Sequence, residues 1–182
     1  MREDRMNAQD AVGATVIRGG GLGELLNPKG RFEVVCIGPD GREKWRDVIN
    51  NLVTTVGKND LLDKYLKGSS YTQTIRMGLK GSGSANAADT QSSHAGWSEL
   101  TDYTGNRKDV TMGSASSGSS VSPAQSFAIT GTMTVAGCFI NNGGSATKAD
   151  TTGVLFSAGD FSGGNKSVGS GDTLNVTYTL SV

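Results

Sequence analysis

Few residues in this chain are able to act as acid, base, nucleophile or metal ligand. The one histidine, His94, lies in "SSHAGWSEL", three residues before Trp97. Ser92 and Ser93 adjoin it and Asp89 stands just upstream, which are the residue types of a serine–histidine–acid relay. Such a relay needs its groups to converge from separate elements beside an oxyanion hole, and neighbours in sequence do not supply that. No G-x-S-x-G elbow is present. A transition-metal site would want several His, Cys or carboxylate ligands, and neither the lone histidine nor the spacing of Cys36 and Cys138 offers them. Asp89, Glu99 and Asp102 are acidic enough for calcium, yet they lack EF-hand spacing. Nothing singles out a pair of carboxylates for acid–base work. The expectation is a protein that is not an enzyme, with no catalytic residue, no metal and no cofactor.

"HAGW" is then a packing or contact element. Gly96 is free to take a positive φ in a tight turn. Trp97 carries a large apolar face that either roofs a core or anchors an interface. His94 is expected to fix the loop through a hydrogen bond. Tyr103 lies close by in sequence, and His94, Gly96, Trp97 and Tyr103 together are the candidate loop and interface residues. A glycan-binding surface would show here as an aromatic groove near Trp97 and Tyr103.

The elements that must position these residues fall into three compositional zones. Residues 1–30 are polar, charged and dotted with glycine, ending in "RGGGLGELLNPKG". A phosphate loop would need a preceding strand and a following GK[ST], and has neither. An extended or flexible N-terminal arm is expected, with Arg5, Arg18, Leu22, Leu25 and Leu26 as candidate contacts. Residues 31–182 are expected to form one domain. In it "RFEVVCI" has the β-branched run of a strand, "GPDGRE" the chemistry of a turn, and "REKWRD" a returning partner. Trp45, Ile49, Leu52, Val53 and Val56 recur at helical spacing up to Gly57. Asn59 then caps "DLLDKYLKG", closed by Gly68, so a helical segment is expected near 47–67.

From residue 68 onward Gly, Ser, Thr and Val dominate. "YTQTIRMGL", "DVTMGSAS", "SFAITG", "TMTVAGCFI", "TGVLFSA" and "DTLNVTYTLSV" read as strands separated by turn signals. In the last, Leu174, Val176, Tyr178, Leu180 and Val182 share one face. The fold class expected is mainly β, an antiparallel β-sandwich or jelly roll. Cys36 and Cys138 fit buried thiols in two strands.

Composition narrows the partners. Seventeen basic and seventeen acidic residues leave no net charge, and Lys and Arg do not cluster with aromatics, so neither nucleic acid nor a membrane is expected. The opening "MREDRMNAQD" lacks the apolar core of a secretory signal, and synthesis in a cytoplasm is expected. Glycine numbers 27 of 182 residues, while Leu, Ile, Val and Phe supply only 37. So small an apolar inventory favours completing stability against copies of the same chain or a partner.

Taken with these readings, "WRDVINNLVTTVGKNDLLDKYLKGS", "YTQTIRMGL", "ADTQSSHAGWSEL" and "GDTLNVTYTLSV" resemble a family of tailed-bacteriophage virion structural proteins. The resemblance runs from about Phe32 to the C-terminus and leaves out the first 30 residues. It implies a β-sandwich, a homodimer or homotrimer, and a place on the virion with no enzymatic activity. The function implied is that of a capsid cement or decoration protein bound to the major capsid protein on the outer shell. Relatives described as tail or tail-fibre components make a tail-associated adhesin the alternative.

Overall fold

In a computed structural model, described for residues 27–67 and 74–182, the chain opens with a long hairpin. Strand β1 (Lys29–Ile37) returns through a turn at Gly41, which takes φ +76°, into β2 (Glu43–Val53). Helix α1 (Thr55–Leu66) follows. The rest is strand and loop: β3 (Ile75–Lys80), β4 (Glu99–Leu100), β5 (Lys108–Val110), β6 (Ser119–Val121) and β7 (Gln125–Ala128). Then come β8 (Met133–Val135), β9 (Gly137–Asn142), β10 (Val154–Asp160), β11 (Lys166–Val168) and β12 (Thr173–Ser181).

Ten strands join in one antiparallel sheet in the order β4-β3-β9-β10-β2-β1-β12-β6, with β5 on β3 and β7 on β12; β8 and β11 form a small separate pair. The fold is therefore mainly β and antiparallel, with one short helix among the described residues. The two halves of the large sheet meet in β2. Its residues 43–51 pair with β1, and then Leu52 and Val53 pair with Ala158 and Ser157 of β10. A strand that changes partners along its length is a corner, and it turns the two halves face to face. Phe32, Val34 and Cys36 of β1 and Leu174, Val176 and Tyr178 of β12 share one buried cluster with Met77, Leu79, Cys138 and Ile140 of the other half.

The sequence reading near 47–67 needs correction. Residues 47–53 are strand, the helix is confined to Thr55–Leu66, and its N-cap is Thr54. Thr54 Oγ1 accepts from the Gly57 N–H at 3.0 Å, so Asn59 lies inside the helix and Gly57 near its start. Gly68 lies outside the described residues. The periodicity misleads because Trp45, Ile49 and Val53, four apart, satisfy a strand period of two as well as a helical one. Leu52 separates the two readings: it points away from the core and is 38% exposed. The polar residues Asp47 and Asn51 on the inward face hide the alternation.

The arm also ends earlier than residue 30. Lys29 pairs with Ser181 and Gly30 with Leu180, so the sheet begins at Lys29. "TMTVAGCFI" is divided at Ala136, whose N–H bonds to the Lys80 carbonyl while its own carbonyl accepts from Phe161. In the last strand Leu174, Val176 and Tyr178 are buried as expected, but Val182 is 63% exposed.

Candidate functional site

Strand β9 is buried on both faces. Cys138 and Ile140 enter the main core, while Phe139 faces outward into a second cluster with Leu155, Ala158 and Trp97. Trp97 arrives from the loop 81–98, which folds back across the outer face of β9 and β10. The loop makes its closest approach where Gly83, at φ +99°, meets the backbone of Gly96; a Cβ on Gly83 would overlap the Gly96 carbonyl oxygen. Gly83 takes the left-handed conformation. Gly96 keeps an ordinary φ and is needed for closeness, since a Cβ there would lie 2.9 Å from the Ser84 carbonyl oxygen.

Trp97 is 6% exposed and its Nε1–H donates to Asp89 Oδ2 at 2.9 Å. The His94 ring stacks on the indole at 4.0 Å with a 20° interplanar angle. Its Nδ1 lies 3.0 Å from the Trp97 carbonyl oxygen; because a carbonyl only accepts, Nδ1 is the donor. His94 therefore closes the loop. It forms no relay: Asp89 is engaged by Trp97, and Ser92 Oγ stands 3.3 Å from Thr90 Oγ1. Tyr103 is 2% exposed, packed edge-on against Phe127 with ring centroids 5.0 Å apart, and burial pushes its phenol up. An aromatic groove for glycan at Trp97 and Tyr103 is thus not what the structure builds, because both rings lie beneath the surface.

Charged side chains pin this region. Arg107, fully buried, donates Nε–H and Nη2–H to the two carboxylate oxygens of Glu99 at 2.9 and 2.7 Å. Its remaining donors reach the carbonyls of Ser145 and Asp150 at 3.2 and 2.7 Å. Glu99 Oε2 also accepts from the Ala149 N–H at 2.7 Å. One ion pair thus ties the segment 143–153 to β4. Lys80 is likewise buried and sits 2.5 Å from Asp160 Oδ1, with the carbonyls of Gly81 and Gly83 as further acceptors. On the opposite half Asp172, 2% exposed, holds Lys44 Nζ at 2.7 Å and the Gly169 N–H at 2.9 Å. Burial pushes the Asp172 carboxyl up, but these bonds outweigh it and hold the group below its ordinary value.

Between the two pinned loops lies an open cleft of about 500 Å³, edged by Ser92, Ser93, His94, Glu99, Asp150 and Thr151. Hydrogen bonds from Thr152 hold the Asp150 carboxyl below the usual range. Hydroxyls, one imidazole edge and the Asp150 carboxylate are able to hydrogen-bond a polar ligand, while the Glu99 carboxylate is held by Arg107. Cys36 and Cys138 are buried free thiols, as expected from their apolar strands. Desolvation raises the Cys36 thiol to about 11, with the nearby Asp172 charge adding to it, and desolvation raises Cys138 further still. Among the described residues no group of three His, Cys, Asp or Glu is arranged to hold a metal ion, and no helix is long and apolar enough to cross a membrane. The arm residues Arg5, Arg18, Leu22, Leu25 and Leu26 lie outside the described residues.

The sequence reading passed over Lys80, Glu99 in its pairing role, Arg107 and Asp172. The signal for Lys80 is a charge that directly follows the uncharged stretch "MGL" at the end of a strand. Arg107 in "TGNRKDV" carries none, since only the fold reveals its partner. No protein-family model, no curated protein and no solved structure matches the chain.

Proposed function

We propose that the protein is a virion structural component, a capsid cement or decoration protein that binds the major capsid protein on the outer shell and reinforces contacts between subunits. The observation supporting this reading is the commitment of the buried charged groups to bracing. Lys80–Asp160, Arg107–Glu99 and Lys44–Asp172 each tie a loop or strand end to the sheet. A sandwich with its loops fastened in this way is a stiff block, suited to transmitting load between neighbours. The segmental resemblance to tailed-bacteriophage structural proteins supplies the particle. On this reading the protein has no enzymatic role, is made in the bacterial host's cytoplasm and acts as a dimer or trimer. Its shell contacts are individually weak and gain strength by being linked.

The test is quantitative mass spectrometry of purified virions. A fixed stoichiometric ratio to the major capsid protein is expected. Only a few copies per particle would move the protein to the tail, and absence from the particle would refute a virion role.

A second reading, a tail-associated protein that contacts a polar host-surface ligand, is supported by the cleft beside His94. Filling that cleft from its exposed rim with Thr151→Arg would then abolish adsorption and leave particle stability unchanged. Unaltered adsorption would count against it.

A further inference from the structure

Helix α1 is poorly covered by the domain it belongs to. Gly57 is its one buried residue, while Leu62, Tyr65 and Leu66 are 42, 85 and 71% exposed. Leu61, Leu62, Tyr65 and Leu66 form two adjacent rows at i, i+4 spacing, so their side chains make a continuous apolar face. That face borders a groove of about 440 Å³ lined by Pro28, Lys58, Leu61, Leu62, Tyr65 and Val182. Aromatic and leucine surface left open over such an area marks a site that something covers.

The position of the chain entry identifies the occupant. Lys29 pairs with Ser181, which sets Pro28 beside Val182, and both residues line the groove. The 26 residues preceding Asn27 therefore join the domain at the groove's lip. They end in "LGELL", residues 22–26. Leu26 and Leu25 precede Pro28 by two and three residues, so at ~3.3–3.6 Å per residue they stay within about 11 Å of it, and Leu22 within about 22 Å. Tethering this short raises the effective concentration of the leucines at the groove far above that of any free partner. Charge matches as well: Glu24 lies among the leucines, and Lys58 is the cation on the groove wall.

We infer that residues 22–26 dock in cis into the groove of α1. Leu25 and Leu26 cover Leu62, Tyr65 and Val182, and Glu24 faces Lys58. The chain's own N-terminal segment thereby completes the domain's apolar surface. This inference stands apart from the virion reading, because it concerns the isolated protein.

Disulfide trapping in the full-length chain tests it. Leu25→Cys and Leu62→Cys are introduced together, with native flanks or with Leu22→Ser and Leu26→Ser added. Cys36 and Cys138 are buried and do not compete. The expected result is rapid intramolecular disulfide formation that slows roughly tenfold when the flanking leucines are lost, because their burial holds the segment in place. An equal rate with either flank would show chain proximity alone and overturn the inference. So would no disulfide, or disulfide-linked dimers whose share grows with concentration, which would assign the groove to a second copy. Should the double-cysteine chain not fold, an apolar fluorescent dye decides. Deleting Arg2–Leu26 is expected to raise dye binding severalfold, and unchanged binding overturns the inference.

Discussion

At Arg107 a guanidinium without solvent contact is neutralised by one carboxylate, Glu99, through two parallel hydrogen bonds. Removing one member leaves the other charged, buried and unpaired, which costs about 3–5 kcal/mol. Arg107→Ala is therefore expected to lose about that much in urea unfolding, whereas breaking the exposed Arg46–Glu43 pair is expected to leave stability unchanged. Asp172 gives a pH dependence of definite sign. Its folded pKa lies below the ordinary 3.8, so as the pH falls the unfolded chain takes up the proton first. Stability from this group is complete well above pH 3.8 and declines as the pH drops through the folded value. Asp172→Asn is expected to flatten the acid limb of a plot of Tm against pH. An unchanged acid limb would mean that the Lys44 and Gly169 bonds contribute nothing to it.

Helix α1 depends on two residues near its start. Thr54 caps it by accepting from the Gly57 N–H, and its hydroxyl also donates to the Leu155 carbonyl oxygen at 2.5 Å. Thr54→Ala is expected to cost about 1–2 kcal/mol from the lost cap. Gly57 lets the helix approach β10 so closely that a Cβ would overlap the Phe156 carbonyl oxygen. Gly57→Ala, normally favourable in a helix, is expected to destabilise by about 1–3 kcal/mol because backbone must move to admit the methyl group. Thermal unfolding of both variants checks this; a stabilised Gly57→Ala would show that the helix does not pack as described.

For the whole molecule, the main core among the described residues runs from Phe32 to Tyr178, and the sheet there begins at Lys29. Deleting Arg2–Leu26 is therefore expected to leave the circular dichroism spectrum and the cooperativity of unfolding intact. On the proposed function the same deletion abolishes shell binding, which co-sedimentation with undecorated capsids would read. A truncated chain that unfolds would show that the arm is part of the core. One that still binds shells would place the contact on the domain instead.

What the residues alone determined is the local chemistry. Alternation in "DTLNVTYTLSV" and the β-branched run of "RFEVVCI" specified strands, because period two has no other half-buried solution there. "PDG" specified the turn between β1 and β2, and the apolar surroundings of Cys36 and Cys138 specified buried thiols. His94 was legible as a loop-fixing residue, since it stands three residues before Trp97, close enough for its ring to bond the backbone of the same turn. What required tertiary structure is whatever depends on neighbours distant in sequence. Residues 47–53 became strand because β1 and β10 supply hydrogen-bonding edges on either side, which outweighed a helical spacing the strand equally satisfies. Trp97 and Tyr103 went beneath the surface because loops closed over them. Arg107, immediately before β5, met Glu99 only when β5 and β4 were both laid against β3. Buried ion pairs leave almost no trace in a sequence, because their energy comes from a shared low-dielectric site that exists only once the chain has folded.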